Sequence, residues 1–111
     1  IHHPSGHEKR ISEEVNPLSI SRYSGATGTG TTHLRVADWD QGTTEGGSSG
    51  SGLWDRSSKL LVGQLHGGGA ACGNNEPDWY GRFFTSWTGG GTTATRLSTH
   101  LDPTASGVTQ L

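Results

Sequence analysis

Long apolar runs are missing from this sequence. No stretch of it is long or apolar enough to read as a membrane-spanning helix. Apolar residues make up only 28% of the 111 positions, which leaves room for one small domain with a modest core. A surplus of one charge is missing too. The net charge of -2 offers no basic surface for nucleic acid or for an anionic membrane. Cysteine is almost absent. Cys72 stands alone, so the chain holds no disulfide framework of its own, and in a secreted protein an odd cysteine points to a partner elsewhere. Metal and phosphate signals are also lacking. His2, His3 and His7 are close in sequence but have no cysteine or fourth ligand at metal spacing. The glycine loop at 25–30 is not followed by Gly-Lys-Ser/Thr, and no helical pattern opens after it. No cofactor and no metal are therefore expected. No signal peptide is read at the start, and Ile1 is not a natural initiator, so the chain is expected to be a piece of something longer.

Glycine and threonine are plentiful. Nineteen glycines in a helix-poor sequence suit many turns and short strands. Residues 1–6 read as a strand end passing into a turn, broken by Pro4 and Gly6. Short strands are expected at 9–12 and 18–23, on either side of Asn16-Pro17. Residues 32–39 alternate, with Leu34 and Val36 on one face and His33 and Arg35 on the other. The strongest strand is 59–66, closed by Gly67-Gly68-Gly69, and an aromatic-rich strand is expected over 79–87. The one helix is expected over 92–101. Thr92 or Thr93 caps it, Ala94, Leu97 and Leu101 share a face, and Pro103 stops it. Such a series suits an all-β domain, a small antiparallel barrel with a terminal helix. The domain is expected over 1–103, followed by a polar tail over 104–111.

The chemistry concentrates in Glu45-Gly46-Gly47-Ser48-Ser49-Gly50-Ser51-Gly52, which runs directly into Leu53-Trp54. A nucleophilic serine needs a sharply turned backbone, and small neighbours let a substrate carbonyl approach the main chain. In such a turn the amides of Gly47 and Ser49 can point the same way and hold a developing oxyanion. An isolated run of this composition also suits a flexible linker, so the context decides.

That context is an ordered set of motifs. The serine run, then Val62-Gly63-Gln64-Leu65-His66-Gly67-Gly68, then Asp78-Trp79-Tyr80-Gly81-Arg82 resembles the trypsin-like serine endopeptidases of the bacterial lysyl endopeptidase type. Ile1-His2-His3-Pro4-Ser5-Gly6 and Lys9-Arg10-Ile11-Ser12 are similar to the same family upstream. Thr85-Ser86-Trp87-Thr88-Gly89-Gly90-Gly91 and Arg96-Leu97-Ser98 are similar to it downstream. The resemblance implies the second, C-terminal barrel of a trypsin-like protease, six-stranded and antiparallel, with its first strand truncated. It also implies a secreted protein, and pairing of Cys72 with a cysteine near the mature N-terminus, which this chain lacks.

By the same resemblance Ser49 is the nucleophile, with Ser48 and Ser51 as neighbouring alternatives, and the Gly47 amide belongs to the oxyanion hole. Gly52 departs from the proline usual at that place, which leaves the exit of the loop less constrained. The family's catalytic histidine and aspartate come from the first barrel, and no histidine here has the setting of that base. His66 and Gly67 are expected in the wall that binds substrate backbone. Asp78 is expected at the base of the pocket, where a buried carboxylate selects a cationic side chain. Its residue would be lysine, with arginine as the alternative, since the loop from Cys72 to Asp78 is shorter than in the best-known members. The tryptophans are expected mainly to pack, with Trp39 the best placed of them to line the cleft. The partners implied are a peptide or protein substrate with a basic residue and the missing N-terminal barrel. The alternatives from other classes are a protease-like binding module without its triad, and a secreted β-barrel for adhesion or carbohydrate binding.

Overall fold

A computed structural model describes residues 1–107. Five short strands form one antiparallel sheet: β1 (Ser19–Ser21), β2 (His33–Val36), β3 (Gly52–Trp54), β4 (Leu61–Gly68) and β5 (Asp78–Arg82). Their spatial order is β1-β2-β5-β4-β3. The register pairs Leu34 with Tyr80 and Val36 with Asp78 across β2 and β5, and Leu65 with Tyr80 across β5 and β4. Side chains alternate faces along a strand, so Val36, Leu65 and Tyr80 meet on one side. With Trp39 and Ala70 they make the buried core, flanked by Leu18, Leu34 and Leu53.

Strands β2 and β4 lie where alternation or apolar content is strongest. β2 falls inside the segment expected at 32–39, and β4 inside and just beyond the one expected at 59–66. β4 does not stop at Gly67 but continues through Gly68, after a register shift between Leu65 and Gly67 that places a bulge at His66. The β3–β4 turn is held by Asp55. Its carboxylate accepts from the Ser58 hydroxyl and amide and from the Ser57 hydroxyl. These bonds, the Ser58 hydroxyl first, hold its pKa down to about 2.

Four elements depart from the sequence expectation. Residues 79–87 are not one strand: β5 ends at Arg82 and a helix α1 (Phe83–Thr88) follows. The aromatic residues there obey a helical spacing, with the Phe83 and Trp87 rings 6.1 Å apart one turn along. The Gly89 amide bonds back to the Thr85 carbonyl and ends the helix. The expected helix over 92–101 shrinks to α2 (Leu97–Leu101). Thr92 and Thr95 bond to each other and to nearby backbone instead, the competition that makes threonine a poor helix interior. The strand expected at 9–12 is reduced to a single bridge between His2 and Arg10, and the 1–6 segment turns through Pro4–Gly6. β3 was not expected at all, because three residues give no periodic signal.

The sheet is open, with β1 and β3 as its edges. Beside the core lies a cavity of about 1100 Å³ lined by Leu18, Leu34, Leu53, Phe83 and their neighbours. Large side chains around it, among them Ile11, Trp54 and Phe84, are more than half exposed. The described architecture is thus mainly β, a five-stranded antiparallel sheet with two short helices. In the tail, the Ser106 amide and hydroxyl bond to Asp102. The rest of the expected tail, 108–111, lies outside the described residues.

Candidate active site

The serine run folds as two tight turns fixed to β4. The Ser48 amide donates to the Glu45 carbonyl and the Ser51 amide to the Ser48 carbonyl. The Gly50 amide donates to the Leu65 carbonyl at 2.8 Å, and the Leu65 amide to Ser51 at 2.9 Å. Gly47 has φ +90°, a conformation that strains any residue with a side chain. Within this frame the serines separate. Ser48 is buried, and Ser49 is exposed. Among the described residues, neither the Ser49 hydroxyl nor the amides of Gly47 and Ser49 are engaged in a hydrogen bond. An exposed hydroxyl beside unengaged amides can meet a carbonyl from solvent.

Asp78 opens β5 and is 1% exposed. Its Oδ2 accepts from the indole Nε1 of Trp39 at 2.9 Å and from the Thr44 hydroxyl. Trp39 packs in the core, as expected of the tryptophans in general, and its indole spends its one donor on this carboxylate, so the alternative of lining the cleft is not realised. Among the described residues no cation stands at ion-pair distance from Asp78. The neighbouring Tyr80 hydroxyl has its pKa raised, first by burial and then by the Asp78 charge. Thr44 belongs to the segment leading into the serine turn, so carboxylate and turn are held in one hydrogen-bonded unit.

Gly68 pairs with Asp78 across the strands. A β-carbon there would run into Asp78 Oδ1 and the Pro77 carbonyl, neither of which can swing away. Gly68→Ala is expected to destabilise the fold by about 1–3 kcal/mol, the usual cost of overpacking. The check is the denaturation midpoint of the variant against the wild type. An unchanged midpoint would mean that the Asp78 side chain and the Pro77 carbonyl can move aside.

The opposite face of the sheet carries His66. Its ring stacks on Tyr23, centroids 3.7 Å apart, and its Nδ1 lies 2.9 Å from Nε2 of His33. His33 pairs with Gly81 of β5, and a cavity of about 320 Å³ opens between His33, His66 and Ser86. Burial, then the His66 ring, lowers the His33 pKa. Gly67 follows, beside the Tyr23 hydroxyl. Sequence reading singled out His66 but not Tyr23 or His33. The available signal was the alternation of β2, which puts His33 on the face opposite Leu34 and Val36. Tyr23 gave none, because it lies in the turn after β1.

The remaining histidines go separate ways. His2 is buried, with Nδ1 on the Ser48 hydroxyl and Nε2 on Ser12. His3 bonds its own turn at His7. Among the described residues, no three histidine, cysteine or carboxylate side chains gather as a metal site. Cys72 is exposed, its amide held by Glu45.

The antiparallel sheet thus carries an exposed serine on a glycine turn and a buried carboxylate bonded to the segment that leads into it. Residues 1–81 match the family model described as the C-terminal domain of lysyl endopeptidase, and the chain belongs to that family. The lysyl endopeptidase of Pseudomonas aeruginosa is 42% identical over 76 residues, which cover 66% of this chain. The match spans only 15% of that relative's length. That membership supports a protease-related function, and Ser49, His66, Gly67 and Asp78 all lie inside the matched region.

Proposed function

We propose that this chain is the C-terminal part of a secreted serine endopeptidase that cleaves after lysine, with Ser49 as nucleophile. The observation that carries this reading is Asp78, a buried carboxylate held by two neutral donors and bonded through Thr44 to the loop that bears Ser49. A buried charge without a counter-charge is costly, and a lysine ammonium would supply what is missing. The amides of Gly47 and Ser49 would hold the oxyanion, and the backbone at His66 and Gly67 would line the substrate strand.

The triad's base and its aspartate would come from an N-terminal barrel outside this chain. No described histidine bonds to Ser49: His2 is committed to Ser48 and Ser12, and His66 to His33. The same missing part would cover the apolar cavity beside the open sheet, a preceding strand would close the barrel, and Cys72 would pair with a cysteine there. A serine hydroxyl without a base is a poor nucleophile. The isolated 111-residue chain is therefore expected to show no turnover of a lysyl ester or amide above background. The check is hydrolysis by purified material. Turnover that Ser49→Ala abolishes would contradict the need for an external base. If the full-length protein, too, is inert and lacks an upstream His and Asp, a protease-like binding module is the better reading.

A further inference from the structure

His2 and Ser48 are 46 residues apart in sequence and meet in the buried interior behind the serine turn. Hydrogen counting sets the direction of every bond in this group. The Ser12 hydroxyl donates to the Thr43 carbonyl at 3.0 Å, so its oxygen accepts from His2 Nε2–H at 2.9 Å. With the ring hydrogen on Nε2, Nδ1 is an acceptor, and the Ser48 hydroxyl donates to it at 2.9 Å. The Ser48 oxygen in turn accepts from the Glu45 amide at 3.4 Å. The chain of bonds thus runs from Glu45 through Ser48, His2 and Ser12 to Thr43. Both ends lie on the segment that leads into Ser49, and the imidazole is the brace between them.

We infer that neutral His2 is a positioning residue for Ser49, holding the adjacent Ser48 and through it the Gly47 and Ser49 amides. The inference rests on the reading of Ser49 as nucleophile. Each ring nitrogen of His2 has one partner, so a second ring hydrogen could go only to the Ser48 oxygen. A proton on Nδ1 would face the Ser48 hydroxyl and force it to turn away from its only ring acceptor. The surroundings favour the neutral form. Burial is the main cause that lowers the His2 pKa, His3 adds to it, and Asp78, from β5, acts against them. Because the folded value is depressed, the brace is present above the ordinary histidine range and is lost as pH falls through the depressed value.

The test uses the full-length protein and a peptidyl-lysine amide. His2→Leu fills the space without an acceptor, and Ser48→Ala removes the donor on the other side with little change in volume. Each is expected to lower kcat about 10- to 100-fold with KM within about twofold, the pattern of a misplaced reacting group. His2→Asn returns an acceptor to the place of Nδ1 and is expected to recover most of the loss. Nitrogen NMR of labelled protein should find His2 as the Nε2–H tautomer, without any need for turnover. Four results would overturn the inference: kcat within about twofold of wild type in both His2→Leu and Ser48→Ala, a loss carried by KM, equal losses in His2→Leu and His2→Asn, or an Nδ1–H tautomer. Ser49→Ala run in parallel separates the two levels. If it retains turnover, the nucleophile is wrongly assigned. If it is inert while the His2 variants are normal, only the positioning role fails.

Discussion

Ser49→Ala in the full-length protein is expected to lower kcat by roughly a millionfold, because removing the serine of a triad costs about as much as removing the triad. The expectation follows from what the turn leaves available. Ser48 is buried against His2 and cannot reach a substrate, whereas Ser49 is exposed with its hydroxyl unengaged. Ser51 is partly buried, with its amide and carbonyl both committed to the turn and to β4. Binding should survive, since Asp78, the proposed partner of the lysyl ammonium, and the strand at His66 and Gly67 are untouched. The measurement is single-turnover hydrolysis of a lysyl ester alongside inhibitor-monitored binding. A loss of less than about a hundredfold would move the nucleophile to another residue.

Asp78→Asn is expected to have the second largest effect, and a selective one. Asparagine keeps the shape, and its carbonyl oxygen can still accept from Trp39 Nε1 and the Thr44 hydroxyl. What disappears is the charge that a desolvated ammonium requires. Breaking a buried ion pair costs about 3–5 kcal/mol, so kcat/KM for cleavage after lysine should fall by roughly two to four orders of magnitude. Cleavage after uncharged residues should fall far less, because it never used the charge. Matched substrates that differ only in the residue before the scissile bond make the comparison. Equal losses for both classes would make Asp78 a structural residue tying the serine loop to β5.

What could be read from the sequence was whatever a local pattern carries. Alternation located β2, a run of Leu60, Leu61 and Val62 located β4, and glycines on both sides of Ser48 and Ser49 located the turn. The serine turn and the opening of β5 at Asp78 could be read because neighbouring residues specify them. Contacts between distant segments could not. His2 bonding Ser48, Tyr23 stacking on His66 and Trp39 turning inward to Asp78 depend on strand order, which no single stretch encodes. The aromatic segment after Arg82 misled for a different reason. Phe83, Phe84 and Trp87 have high strand propensity, but Phe83 and Trp87 fall one helical turn apart and pack that way, so tertiary packing outweighed propensity. The sheet is open at β1 and β3, where the resemblance implies a barrel with its first strand truncated.

The most direct test of the central claim joins its two halves, Ser49 and Asp78, in one observation. The full-length protein is inactivated with a phosphonate ester whose side chain is that of lysine, and the structure of the adduct is determined. The expected adduct has phosphorus bonded to Ser49 Oγ, an oxygen facing the Gly47 and Ser49 amides, and the lysyl ammonium within about 4 Å of the Asp78 carboxylate. An adduct on another residue, or on Ser49 with the ammonium in solvent, would contradict it.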